Sequence, residues 1–315
     1  MVNEYRTGRH RALDDSARKK EASWLKRHGE GALLLDWISL ADAAGDEVLF
    51  SFRLESLLAS GQWKEAAEMA LHPAAGALSE KPEWLQILVS LRSVREDPHL
   101  AEMLLRTAVA QARVNGNPVA CKALGDASLD YSVFPLAADA FGAAMKAGED
   151  PGSILKEFLH ASRRSGQDAD SALSILSHHV QSGDKSTDMR KQTTYLRLLC
   201  GDQMERAALD LARLKKDLPD DPYVKFLNAF MGYRLGDYAS AVRSLLPMPN
   251  HRWQQGETVV IATILASGGQ IREAATLANR VTGQGVFPEE RRMLEGWKTR
   301  TELDPGLLSS VTLQP

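Results

Sequence analysis

Apolar residues recur along this chain at the three-and-four spacing of amphipathic helices, and no stretch alternates as a strand would. Residues 222–248, PYVKFLNAFMGYRLGDYASAVRSLLPM, show the pattern in full. Pro222 suits a helix start, where its missing N–H costs nothing. Phe226, Ala229, Phe230 and Tyr233 then fall on one helical face. Gly236 suits the left-handed conformation that ends a helix. Asp237 follows as an N-cap, and Ala241 and Leu245 face back from a second helix. The segment predicts an antiparallel helix pair.

The same phrase is written several times. LASGQWKEAA at 58–67 returns as ASGGQIREAA at 266–275, with looser copies at 164–173, 200–209 and 234–243. Gly166, Gly201 and Gly236 recur at steps of 35, Gly269 follows 33 later, and Gly61 precedes Gly166 by 105. A fixed period of this size marks a repeat architecture. It predicts helix breaks near residues 61, 96, 131, 166, 201, 236 and 269, with Pro98 and Pro135 close to the two breaks that lack glycine. Turn-forming stretches such as NGNP (115–118), GEDPG (148–152) and LPDDP (218–222) separate the pairs. Ala66, Ala207, Ala241 and Ala274 supply the short side chains that closely crossing helices need.

These residues resemble the tetratricopeptide repeat family over about residues 46–285. ALG at 123–125 matches its Leu-Gly pair. Ala137, Phe141 and Ala144 match its second-helix signature, and Ala207, Leu211, Leu214 and Pro219 match it again. The resemblance implies an all-α fold: a right-handed superhelical array, or α-solenoid, of about eight antiparallel helix pairs with a C-terminal capping helix. The division expected is a basic segment over 1–30, the array over 31–286, the cap over 287–303 and a flexible tail over 304–315. In the cap, Met293, Leu294 and Trp297 are expected to cover the stack while Glu289, Glu290, Arg291 and Arg292 meet water.

The resemblance also implies a function: a non-catalytic scaffold or adaptor that binds an extended partner segment on its concave face. Placing the family's binding positions on this sequence gives Lys156, His160, Arg163, Arg164, Arg190, Tyr223, Tyr233 and Arg234. Those positions are cationic or aromatic, so the expected partner is an acidic protein or peptide segment. A shift of one residue in register would put Phe226, Phe230 and Tyr233 in the core instead. The cations would then merely solvate their helices.

Composition narrows the classes. The 315 residues are 44% hydrophobic, 25% charged and only 6% aromatic, which favours helices. A net charge of -3 argues against nucleic acid and so against the alternative of a pentatricopeptide-like RNA binder. The two cysteines, Cys121 and Cys200, have no framework spacing. No phosphate loop or nucleophile elbow appears, and the adjacent His178 and His179 lack metal-ligand spacing, so no cofactor or metal is expected. An enzyme built on a helical-repeat scaffold would need convergent carboxylates that the spacing does not assemble. The N-terminal segment, with Arg6, Arg9, Arg11, Arg18, Lys19, Lys20, Lys26 and Arg27, is a candidate for partner docking or peripheral membrane contact. No apolar run is long enough to span a bilayer. The chain therefore reads as soluble and cytoplasmic, with a periplasmic or anchored parent open if it is part of a longer one.

Overall fold

A computed structural model describes residues 15–72, 97–181, 186–245 and 252–303. Arg6, Arg9, Arg11, the break near Glu96, the Trp297 side chain and the segment 304–315 lie outside the described residues. Among those described, the structure is all-helical, with seventeen α-helices, one 3-10 turn at Pro151–Ser153 and no strand. The chain forms two compact units, Met1–Leu136 and Ala137–Pro315.

In the N-terminal unit, α1 (Asp15–Arg27), α2 (Gly31–Trp37), α3 (Leu40–Ala43), α4 (Glu47–Ser60) and α5 (Trp63–Leu71) precede α6 (Pro98–Asn115) and α7 (Pro118–Asp130). Helix α4 is the hub and packs against α1, α2, α3 and α5. Its Leu49, Phe50, Leu54 and Leu57 are buried together with Ala22, Leu25, Leu34 and Ile38. Burying a side chain of that size contributes about 1.5–3 kcal/mol. The basic character of α1 is largely matched by neighbouring acids. Arg18 pairs with Asp42 at 3.4 Å, Lys19 with Asp46 at 2.5 Å and Lys26 with Glu55 at 2.6 Å. Helix α8 (Phe134–Lys146) holds the boundary between the units in its first turn.

The C-terminal unit continues with α9 (Leu155–Ser165), α10 (Ala169–Gln181), α11 (Thr187–Cys200), α12 (Met204–Asp217), α13 (Pro222–Arg234), α14 (Tyr238–Leu245), α15 (Gln255–Ser267), α16 (Ile271–Ala278) and α17 (Pro288–Leu303). Helices α11, α13 and α15 pack one against the next, and α17 packs on α15 and reaches α11.

The expected breaks at 61, 131, 166, 201, 236 and 269 all occur. Gly61, Gly166, Gly201, Gly236 and Gly269 have φ between 73° and 86°, a region a side chain would strain. At the glycine-free break, α7 ends at Tyr131 and Ser132 itself takes φ 59°. Asp46, Asn117, Ser186, Asp221 and Asp237 cap the helices that follow them. The small residues also sit at crossings. Ala66, Ala207 and Ala274 are fully buried, and a Cβ on Gly232 would meet Ala241 Cβ at 3.5 Å. Phe226 and Phe230 are fully buried, so the core register applies to these two and not the surface one.

One expectation for the cap is overturned. Glu290 does not meet water: it is 0% exposed, among the most deeply buried charged groups described.

Candidate functional site

Helix α9 is amphipathic. Its apolar side buries Leu155, Phe158, Leu159 and Ala161. Lys156, His160, Arg163 and Arg164 stand at i, i+4, i+7 and i+8, which gathers them on one side. All four line one cavity of about 460 Å³. Gln254 and Gln255 at the start of α15, and Thr282, Gln284 and Gly285 ahead of α17, complete its wall. Among the described residues no carboxylate lines it. Burial and the adjacent charges of Arg164, Arg163 and Lys156 hold the His160 imidazole below its ordinary value, against Glu157. A second cavity of about 350 Å³ shares Lys156 and Gln254 and is lined further by Leu155, Leu159, Gln192 and Tyr223. There the Lys191 ammonium meets Asp221 at 2.6 Å.

Beneath these cavities lies a buried polar cluster. Arg163 is 4% exposed. Its Nη1 donates to Gln254 Oε1 at 2.5 Å, and its Nη2 stands 3.6 Å from Glu290 Oε1. The guanidinium also lies over the rings of Phe287 and Tyr195, 5.2 and 5.9 Å from their centroids. Tyr195 donates its hydroxyl to Glu290, and Phe287 N–H donates to Glu290 Oε2 at 2.7 Å. Burial, the largest influence, lowers the Arg163 value, but Glu290 together with Tyr195, Glu257 and Tyr223 outweighs it and holds the guanidinium above its ordinary value. Burial also pushes the Glu290 carboxyl up, against Arg163, Tyr195 and the Phe287 N–H.

A parallel arrangement sits beside it. Glu257 is 3% exposed, accepts from Gln254 N–H at 2.9 Å and is hydrogen-bonded to Tyr223. Gln192 Nε2 donates to the Tyr223 hydroxyl at 3.0 Å. Both tyrosine hydroxyls are held well above their ordinary value, first by burial and then by the glutamate beside each. Both glutamates occupy the third position of their helix and turn back to the N–H that precedes it, one arm of a capping box. That spacing, in QQGE and FPEE, was the signal in the sequence that could have found them.

The eight proposed site residues thus have different surroundings. Lys156, His160, Arg163 and Arg164 line the first cavity and Tyr223 the second. Arg190 pairs with Asp217 at 3.7 Å and lines neither. Arg234 turns across to the end of α11, where its Nε donates to Leu198 O at 2.6 Å and its Nη2 donates to Leu199 O. That caps otherwise unmet carbonyls. Tyr233 stacks between Phe230 and Tyr238. Arg163 is a correction in kind: it lines the cavity as a buried, glutamate-matched cation and not as a surface charge.

Among the described residues no group of three or more His, Cys, Asp or Glu is gathered as a metal ion would need, and no helix is long and apolar enough to cross a membrane. Burial, then nearby acids, push the half-buried Cys200 thiol up to about 12, which makes it a poor nucleophile. No protein-family model matches this sequence, and no curated protein matches it significantly.

Proposed function

We propose that this chain is a tetratricopeptide-like repeat protein, a right-handed superhelix of about eight helix pairs. In this reading it is a non-catalytic scaffold that holds an extended acidic segment of a partner protein along the α9 side of its C-terminal unit. The observation that carries the reading is the wall of the α9 cavity, where four basic side chains converge with glutamine amides and, among the described residues, no carboxylate lines the space. Such a concave, partly desolvated wall focuses positive potential although the whole chain is slightly acidic. Tyr223 in the adjoining cavity offers an aromatic contact for an apolar residue of the same segment.

The test is fluorescence polarisation with a labelled glutamate-rich peptide. Lys156→Glu combined with Arg164→Glu should weaken capture at least about tenfold, because two attractive contacts become repulsive. Circular dichroism should stay that of the parent, since both side chains are exposed. Rising salt should weaken binding without abolishing it. Unchanged capture by the double variant removes this cavity as the binding surface.

A further inference from the structure

We infer that the α9 cavity is an oxyanion site that takes a phosphoryl monoester dianion, whose oxygens replace the amide oxygens of Gln254 and Gln284 on Arg163 and Arg164. The inference rests on the reading of this cavity as the binding surface and names the group it grips.

Two adjacent arginines of one helix each spend a donor on a neutral amide oxygen. Arg163 Nη1 holds Gln254 Oε1 at 2.5 Å, and Arg164 Nη1 holds Gln284 Oε1 at 2.9 Å. The two glutamines come from separate segments, one ahead of α15 and one ahead of α17, and meet at the same cavity. An arginine bound to an anionic oxygen gains ion-pair attraction and can engage it bidentately, which a neutral amide oxygen does not offer, so an anion competes with both amides. Arg163 also keeps its Nε without a hydrogen-bond acceptor among the described residues, and its Nη2 reaches Glu290 only at ion-pair distance, 3.6 Å, although the residue is 4% exposed. Buried donors in that condition are rare and favour any change that brings an acceptor.

The site is built to this shape. Gly285 has φ 72°, and a Cβ there would lie 3.4 Å from Arg164 Cδ, so glycine lets the arginine pass close to the backbone. Glu290 balances the Arg163 charge from below. Arg163 therefore supplies direction, and Lys156 and Arg164 add two further cationic groups to the wall. Two cations, a directional guanidinium and an imidazole outnumber the two oxygens and single charge of a carboxylate. They suit the three oxygens and near-double charge of a phosphoryl group.

The experiment is an NMR titration of the intact chain, read at the His160 ring, with inorganic phosphate against acetate at matched ionic strength. Phosphate should saturate the shift and bind at least about fivefold more tightly than acetate. Lys156→Ala with Arg164→Ala should weaken phosphate at least about fivefold, while Gln254→Ala, which removes a competing acceptor, should tighten it about two- to fivefold. Equal phosphate and acetate curves overturn the inference, as does a phosphate curve that none of these folded variants moves. A phosphoserine peptide that binds more tightly than both its serine counterpart and inorganic phosphate assigns the group to a phosphorylated partner. Equal or weaker binding assigns it to free phosphate, and either result requires the site. The glutamate-rich peptide measured in parallel separates the two readings. If it binds and phosphate does not, the phosphoryl inference falls and the acidic-segment reading stands. If phosphate alone binds, the site stands and the acidic-segment reading falls.

Discussion

The two units of this protein solve the same packing problem with different chemistry. In the N-terminal unit the only buried polar residues described are Ser56 and Ser128, and each hydroxyl returns to a carbonyl of its own helix, Phe52 O and Leu124 O. The C-terminal unit buries four charged residues: Arg163, Arg197, Glu257 and Glu290. Serines satisfied within a helix constrain nothing beyond it, so the first core is held by apolar area, which is non-directional. The C-terminal charges also find partners across helices. Arg163 of α9 needs Glu290 of α17, and Arg197 of α11 needs Asp210 of α12. A charge left alone there is costly, so these pairs fix which helices meet and in what register.

The largest break in this comparison is Glu290→Ala. It leaves Arg163 buried without its ion-pair carboxylate and Tyr195 without its acceptor. Urea melts at neutral pH should show a loss of about 3–5 kcal/mol. Arg163→Met with Glu290→Leu should cost much less, because neither member of the pair is left alone. A single substitution as harmless as the pair would mean that water already serves Arg163. The N-terminal control is Leu57→Ala, at 1% exposure, where a cavity alone should cost about 2–5 kcal/mol and no second substitution of opposite polarity would restore it.

The difference between the units also marks what the sequence discloses. Helix breaks were legible because most are local events, a left-handed glycine between two helices, and they repeat. Cationic spacing on α9 was legible for the same reason: Lys156, His160 and Arg164 lie one or two turns apart on one helix. The burial of Arg163 was not, because its acid lies in α17, and no local pattern records a pairing between α9 and α17. Arg234 looked like a ligand-facing cation because its role, closing the end of α11, depends on how two helices pack. The surroundings of Tyr223 and Tyr195 likewise depend on which glutamate, from a distant helix, reaches each one.

Gly256→Ala gives a smaller and sharper effect. An added Cβ would stand 2.2 Å from both Glu290 carboxylate oxygens, so the carboxylate or α15 must move. The cost should be about 1–3 kcal/mol, as for other overpacked sites. A crystal structure of the variant should show Glu290 drawn away from Arg163. An alanine accommodated with that pair intact would show that the C-terminal core yields as an apolar one does.

The smallest effect compares one device present in both units. Asp46 caps α4 through Val48 N–H at 2.9 Å and binds Lys19 of α1, and Asp221 caps α13 through Tyr223 N–H at 2.8 Å and binds Lys191 of α11. Burial pushes both carboxyls up, but the lysine and the cap N–H groups outweigh it and hold each below the ordinary 3.8. A folded value below the unfolded one means that the unfolded chain binds the proton more readily. The contribution is therefore complete above about pH 3.8 and is lost as pH falls through the lower folded value. Asp46→Asn and Asp221→Asn keep the cap and remove the charge. At pH 7 each should cost no more than about 1 kcal/mol, because the pairs are partly exposed and screened. Each should also flatten the stability profile below pH 4 in urea melts. The carboxylates are almost equally exposed, at 21% and 22%, so the two losses should agree if each cap acts alone. Asp221, however, lines the cavity that also holds Gln254, the acceptor of the buried Arg163. A loss at Asp221 well beyond that at Asp46 would show that the C-terminal polar cluster extends to its rim, and equal losses would confine it to α9, α11, α15 and α17.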